Sequence, residues 1–265
     1  MYAFNYQKAK SVADATALLG KNADAKVLSG GQSLIAAMKL RLANPSDIVD
    51  ISTIKDLAGI KTEGNTVTIG AMTRHAQVAA SAEVKKAIPA LAALAGGIGD
   101  RMVRNMGTIG GSVANNDPAA DYPAGLVALG ATVITDKRKI SADEFFKGMY
   151  ETALQAGEII TAVSFQVPKR AAYMKFKNPA SRYAIVGVFV ADFGSSVRVA
   201  VTGAAAGVFR VPEMEKALAA KFTPEAVAGI KVAEDNLNND MHAKADYRSH
   251  LITVMAKRAV EAALK

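Results

Sequence analysis

The 265-residue sequence predicts an α+β fold built in two parts. Three observations carry that reading. The first fifty residues alternate helix and strand signals. A glycine pair flanked by hydroxyl residues occurs twice, at Ser29-Gly30-Gly31-Gln32-Ser33 and Thr108-Ile109-Gly110-Gly111-Ser112. After Pro168 the pattern changes to successive strands followed by successive helices, with no alternation. The boundary therefore falls near residue 170. Residues 1–170 read as a small α/β subdomain of about 1–55 and a larger one of about 56–170; residues 171–265 read as an antiparallel sheet with helices.

Ser11 is placed to cap a helix carrying Val12, Ala15, Leu18 and Leu19 on one stripe, and Gly20 ends it. Val27-Leu28 reads as a short strand running into the first glycine pair. Leu34, Ile35, Met38 and Leu42 continue as a helix that Asn44-Pro45 stops, and Ile48 to Ile51 is the next strand. In the larger subdomain, Thr66 to Ile69 follows the turn signal Glu63-Gly64-Asn65. Thr73 and Ser81 are helix caps, and the helical region over Ile88 to Leu94 ends at Gly96-Gly97. Ile98 to Gly107 has no clear period. The second glycine pair reads as a turn. Asp117-Pro118 is placed to open a helix over Ala119 to Leu129. Ala131 to Ile134 pairs with Lys139-Ile140, Ser141 and Glu144 form a capping box, and Ile159 to Val167 is a strand. In the last part, Tyr173 to Lys177, Ala184 to Phe193 and Val197 to Gly203 are strands, with a fourth over Gly207 to Val211. Helices follow over Glu213 to Ala220, Pro224 to Ile230 and Tyr247 to Leu264.

Composition narrows the function. Without cysteine the chain holds no disulfide and no thiolate-bound cluster. His75, His242 and His250 are far apart in sequence and show no metal-ligand spacing, so no metal site is expected. The net charge of +8 fits a basic face, an acidic partner subunit or an anionic cofactor. Nucleic acid is disfavoured, because no basic run is interleaved with stacking aromatics among nine Phe, seven Tyr and no Trp. No apolar run approaches a membrane span, and Met1 to Lys10 lacks an apolar signal core. A cytoplasmic location is the expectation.

Glycine lets backbone N–H groups come close to a ligand, and the neighbouring hydroxyls add donors. Two such segments could hold one diphosphate from two sides. Neither matches a dinucleotide-fold fingerprint or a P-loop. Asn115, Asn116, Asp117 and Asp121 suit ribose, sugar or ribityl hydroxyls, or else Asp117 caps a helix and Asp121 is solvent-exposed. Lys177 and Arg182 are either solvated surface or charges beside an anionic cofactor. Tyr183 is a core tyrosine or a cover for a planar ring. No side chain reads as a catalytic acid or base.

Several long motifs, in order, carry a resemblance. Ser29 to Ile35 with Met38-Lys39-Leu40-Arg41-Leu42 resembles the first FAD-binding segment of the medium subunits of molybdenum hydroxylases. Ile69-Gly70-Ala71-Met72-Thr73 is similar to the next marker of that family. Val103 to Ser112, continuing through Asp117-Pro118-Ala119-Ala120-Asp121, resembles its second FAD-binding segment. The resemblance covers nearly the whole chain. It implies a two-subdomain FAD-binding fold of the vanillyl-alcohol-oxidase (PCMH) type, followed by a C-terminal domain of three strands plus helices. It implies cofactor contacts from Ser29, Gly30, Gly31, Gln32, Ser33 and Leu34, and from Thr108, Gly110, Gly111 and Ser112. It places Asp121 on the FAD sugar or adjacent hydroxyls, Ile98 at an apolar position near the flavin or adenine, Ile159 and Ile160 on a strand that touches the cofactor, and Lys177 near the flavin. Met106 stands where many relatives carry arginine, and Ala36 replaces a frequent proline.

The resemblance further implies an electron-transfer subunit. A small subunit with 2Fe–2S clusters would supply electrons taken from a large molybdenum-cofactor subunit, the whole a dimer of heterotrimers, and an external acceptor would receive them. A stand-alone flavoprotein oxidoreductase and a non-catalytic assembly subunit are the alternatives.

Overall fold

Three main sheets organise the computed structural model, which describes residues 1–265. The first unit contains β1 (Asn5–Lys8), α1 (Val12–Leu19), β2 (Lys26–Leu28), α2 (Leu34–Lys39) and β3 (Asp47–Asp50). Its strands are parallel, in the order β1-β3-β2. Ser11 caps α1 by accepting from the Asp14 N–H at 3.1 Å. Ala9, Ala15, Val49 and Ile51 form a small core that also takes in Ile159 from far along the chain. Sequence reading misses β1, which has no apolar alternation. It is an edge strand held by polar side chains: Asn5 and Gln7 both donate to Asp47 Oδ1, at 3.2 and 3.1 Å. The α2 helix stops at Lys39, where Arg41 takes a left-handed φ of 59°, so Leu42 projects into solvent and does not extend the helical stripe.

The second unit runs through β4 (Ile60–Glu63), β5 (Thr66–Gly70), α3 (His75–Ala80), α4 (Ala82–Ala87), α5 (Pro89–Gly96), α6 (Arg101–Met106), α7 (Ile109–Asn115) and α8 (Tyr122–Ala128). It continues with β6 (Thr132–Thr135), β7 (Lys139–Ser141), α9 (Ala142–Phe145), the hairpin β8 (Phe146–Gly148) and β9 (Glu151–Thr152), and β10 (Ile160–Gln166). The sheet β4-β5-β10-β6-β7 is antiparallel throughout, and helices α3 to α8 are inserted between β5 and β6, the two neighbours of β10. Four local expectations change. Thr73 does not cap α3; its hydroxyl is buried and bonds both the N–H and the C=O of Gly59, at 3.0 and 3.1 Å. The 98–107 stretch holds α6, which buries none of its residues and so leaves no period to read. Gly110 and Gly111 lie in the first turn of α7, not in a turn before it. Asp117 accepts from the Ala119 N–H at 2.9 Å in a turn, and α8 begins only at Tyr122, where Pro123 is tolerated in the first turn.

The third unit is the antiparallel sheet β11 (Arg170–Lys177), β12 (Ala184–Asp192), β13 (Val197–Thr202) and β14 (Phe209–Arg210), then α10 (Pro212–Ala220), α11 (Pro224–Ala228) and α12 (Ala245–Ala263). The fourth strand is only two residues long. Every residue of β12 is buried. Phe189 and Ala191 enter the core of the second unit, beside Leu91 and Leu126. Val186, Val188 and Val190 lie on the other face, in a second core with Ile252, Met255 and Ala259 of α12. Burial of each such side chain contributes ~1.5–3 kcal/mol, so β12 cements the third unit to the second. Arg248, buried within α12, donates to the carbonyls of Ile185 and Gly203 at 2.7 and 3.0 Å and pairs with Asp240 at 2.8 Å. No helix is long and apolar enough to cross a membrane.

Candidate functional site

The two glycine segments meet. Thr108 Oγ1 donates to Ser29 Oγ at 3.2 Å and also accepts the Gly111 N–H at 3.1 Å. A Cβ on Gly30 would fall on the Met106 carbonyl, 2.8 Å from the Gly107 Cα. One on Gly111 would meet Ser29 Oγ at 2.6 Å, and one on Gly110 would meet Ala71 Cβ at 2.5 Å. Thus the β2–α2 loop is pressed, backbone on backbone, against the end of α6 and the start of α7. Only residues without side chains permit that approach. The Ala71 N–H donates to the Thr161 carbonyl at 2.9 Å, which brings the Ile160 end of β10 to the same place.

The two segments differ in what they have left to offer. In α7 the N–H groups are already bonded: Ile109 to Thr73 O at 3.1 Å, Gly110 to Ala71 O at 2.9 Å, and Gly111 to Thr108 Oγ1. In the β2–α2 loop the successive N–H groups of Gly30, Gly31, Gln32, Ser33 and Leu34 meet no protein acceptor. Gly31 has φ 71°, which a side chain would resist. A run of unpaired N–H groups in a glycine loop is an anion-binding concavity. The residues present therefore suit a diphosphate. The first segment supplies the donors, while the second supplies the wall and the Thr108 strut.

Asp121 is buried at the start of α8, and both its oxygens are engaged. The Tyr173 hydroxyl donates to Oδ1, and Lys175 Nζ donates to Oδ2 at 3.0 Å. Burial pushes its carboxyl above the usual range, against the pull of the Lys175 ammonium. Lys177 is exposed at the end of β11 and is not drawn into this group. Lys175, two residues earlier on β11, is the lysine that pairs with Asp121, and the register of β11 on β12 shifts between Phe176 and Lys177. The period-2 pattern of the strand was a signal for either. Ile98 is half-buried, and its carbonyl accepts from Arg104 Nη1 at 2.9 Å.

Three of the four non-glycine residues with left-handed φ, Asn116, Tyr150 and Arg182, flank one corner. Asn116 Nδ2 donates to the carbonyls of Gly148 and Glu151, both at 2.8 Å, and the Tyr150 N–H donates to Asn116 O at 3.1 Å. Strain of this kind persists only where neighbours over-determine it. It presents the phenols of Tyr150 and Tyr183 partly exposed on the side of Asp117; burial, then the Asp117 carboxylate, raises both pKa values. Under the cradle, His75 lies against Gly107 with Nδ1 buried and unpaired, beside the equally unpaired hydroxyl of Tyr122. Burial, with Arg104 nearby, holds its imidazole down at about 4. No cluster of acidic or imidazole side chains has the makings of a metal site.

Comparison with known proteins places this arrangement. Residues 2–169 match the family model of the FAD binding domain in molybdopterin dehydrogenase, and residues 171–263 match that of the CO dehydrogenase flavoprotein C-terminal domain. The carbon monoxide dehydrogenase medium chain of Hydrogenophaga pseudoflava is 39% identical over 281 residues, covering 98% of this chain and 96% of that one. The nicotine 6-hydroxylase medium subunit of Paenarthrobacter nicotinovorans is 36% identical, covering 97% and 96%. A solved structure of carbon monoxide dehydrogenase from Hydrogenophaga pseudoflava, lacking the Mo-pyranopterin moiety of the molybdenum cofactor, superposes with a TM-score of 0.92 at 38% identity over 99% of this chain and 98% of that one.

Proposed function

This chain belongs to the family of FAD-binding medium subunits of molybdenum hydroxylases, and we propose that its Gly30–Leu34 loop grips the FAD diphosphate against the Thr108–Ser112 wall. The chain is the electron-transfer flavoprotein subunit of an oxidoreductase complex with large and small partner subunits. The observation that carries the site assignment is the run of five N–H groups without a protein acceptor, in a loop packed on the Met106–Gly111 backbone at glycines.

Bound FAD would supply the redox chemistry. The residues here bind and orient. Ser29, held by Thr108, fixes the width of the cleft. Gln32, Ser33 and Ser112 add side-chain donors at its rim. Ile98 and Ile160 give apolar wall. Asp121 supports the sugar end through lone pairs that Tyr173 and Lys175 leave free. Lys177 lies at the rim, open to an anionic group. The domain assignment follows: residues 1–170 hold the cofactor and 171–265 brace it. The wider assembly is a dimer of heterotrimers in the cytoplasm, in which a large molybdenum-cofactor subunit and a small 2Fe–2S subunit deliver electrons and an external acceptor removes them. The relatives named for carbon monoxide and for nicotine match the same full length of this chain, which favours substrate choice on another subunit.

The test is an absorption spectrum of the purified chain, alone and coexpressed with its neighbouring subunits, followed by denaturation and identification of any chromophore. Flavin bands and released FAD are expected. A colourless chain that takes up no FAD under either condition overturns the reading.

A further inference from the structure

Lys175 belongs to the third unit but spends its charge on the second. Its side chain is only 9% exposed. Besides Asp121, Nζ donates to the Gly97 carbonyl at 3.0 Å. The next two carbonyls of that loop are also held by cations: Arg104 Nη1 reaches Ile98 O at 2.9 Å and Gly99 O at 3.1 Å, and Arg182 Nη1 reaches Gly99 O at 3.4 Å. Two of these three cations come from the third unit. No backbone N–H donates to any of these three carbonyls, and Gly99 has a φ of 49°.

The link is built with care on the sheet side. Tyr173 completes the shell of Asp121, and its hydroxyl gets there because position 187 on β12 is glycine. A Cβ on Gly187 would lie inside contact distance of that hydroxyl and 3.0 Å from Thr202 Cγ2. A buried ammonium and carboxylate are costly to desolvate, and an apolar pair would bind two units at least as firmly. What an ion pair adds is a fixed relative position, because each donor has one geometry that satisfies it.

We propose that Lys175 is a positioning residue that fixes the Gly97–Gly99 loop, and Ile98 upon it, as the wall against which bound FAD is held. This rests on the reading of the chain as an FAD-binding subunit. Lys175 then acts through the loop and not by touching the cofactor. Replacing it should leave the cores intact but let the wall move.

The experiment uses the full chain with FAD as the probe. Lys175→Met, Lys175→Arg and Tyr173→Phe are compared with the parent by FAD titration, by the visible absorption and circular dichroism of bound flavin, and by amide exchange over residues 97–100. Lys175→Met is expected to weaken FAD by about tenfold, to alter the visible dichroism and to speed exchange of the loop by tenfold or more. Lys175→Arg should restore most of each. Tyr173→Phe, which removes one hydroxyl and keeps the packing, should move all three in the same direction by less; it carries the test should Lys175→Met fail to fold. Unchanged FAD affinity and dichroism in a folded Lys175→Met or Tyr173→Phe chain, whatever the melting temperature, overturn the proposal and leave a structural ion pair. A parent chain that binds no FAD would instead sink the cofactor reading, and the positioning role with it.

Discussion

Acid should destabilise this chain well before its carboxylates titrate, and His75 is the cause. The imidazole is buried and has no acidic partner; Arg104 is the charge that bears on it, and Tyr122 beside it is neutral. Its pKa is lowered from 6.5 to about 4. As pH falls, the unfolded chain therefore takes up a proton that the folded chain refuses. The stability contribution is complete above 6.5 and drains away down to about 4. At ~1.36 kcal/mol per pH unit, the loss is ~2 kcal/mol by about pH 5 and ~3 kcal/mol by about pH 4. That is a large part of the usual ~5–15 kcal/mol of a folded domain. Asp121 works in the opposite sense, since burial raises its carboxyl. The difference between parent and His75→Leu isolates the histidine. Urea unfolding at a series of pH values should give a parent curve that falls between pH 7.5 and 5, and a variant curve that is nearly flat. Leucine also removes the stranded Nδ1, so the variant should lose little at pH 7.5. A variant with the same slope as the parent would refute the reasoning.

Further outcomes follow from the same geometry. Gly111→Ala pushes against two hydroxyls that can swing, Ser29 Oγ and Thr108 Oγ1. It should weaken FAD strongly while costing little stability, as read by titration and melting. Gly110→Ala drives a methyl toward the Ala71 carbonyl, 2.8 Å away, and should lower both. Equal losses in the two variants would argue for glycines that serve the fold alone. The Glu158 carboxyl, which accepts from Arg138, Thr135 and the Gln155 N–H, is held at about 2 from 4.5. Its stabilisation is present above 4.5 and lost toward pH 2, so Glu158→Gln should flatten that lower acid limb and leave the one above 5 untouched. Arg248→Ala strands the Ile185 and Gly203 carbonyls and should cost ~3 kcal/mol or more by denaturant titration.

The sequence displayed those parts of the fold whose local preferences agree with their tertiary role. Helix α1 has its Ser11 cap, its stripe and Gly20 in register, and β12 is a continuous apolar run as a strand buried on both faces must be. The elements it hid lack such agreement. Strand β1 is polar because it lies at an edge and is held by Asp47. Helix α6 buries nothing. At Gly110 and Gly111, local propensity argues against helix by ~1 kcal/mol per residue, yet the Ala71 backbone at Gly110 and the Ser29 and Thr108 hydroxyls at Gly111 crowd any side chain there. The site was legible as two glycine segments of related chemistry. Their unequal division of labour was not, because which N–H groups are already spent depends on Ala71 and Thr73, far from either segment in the chain. The sequence does not single out Lys175, because positions 173, 175 and 177 are equivalent in a strand pattern; the register shift after Phe176 and the approach of α8 and the 97–99 loop set them apart.

On the proposed reading, the cofactor site lies at a junction and not within a core. Ser29 belongs to the first unit, Thr108 to the second, and Lys175 reaches into the same region from the third. The cores run across the units, with Phe189 and Ala191 in the second unit's core and Ile159 in the first's, and such burial is non-directional, so it holds the units together without setting the width of a cleft. The polar links do that: one hydroxyl pair across the loops and one buried ion pair across the sheet. A ligand that binds only the assembled junction adds its binding free energy to the association of the units. If FAD sits in the proposed cleft, its occupancy and the alignment of the three units are coupled, and added FAD should raise the melting temperature of the whole chain.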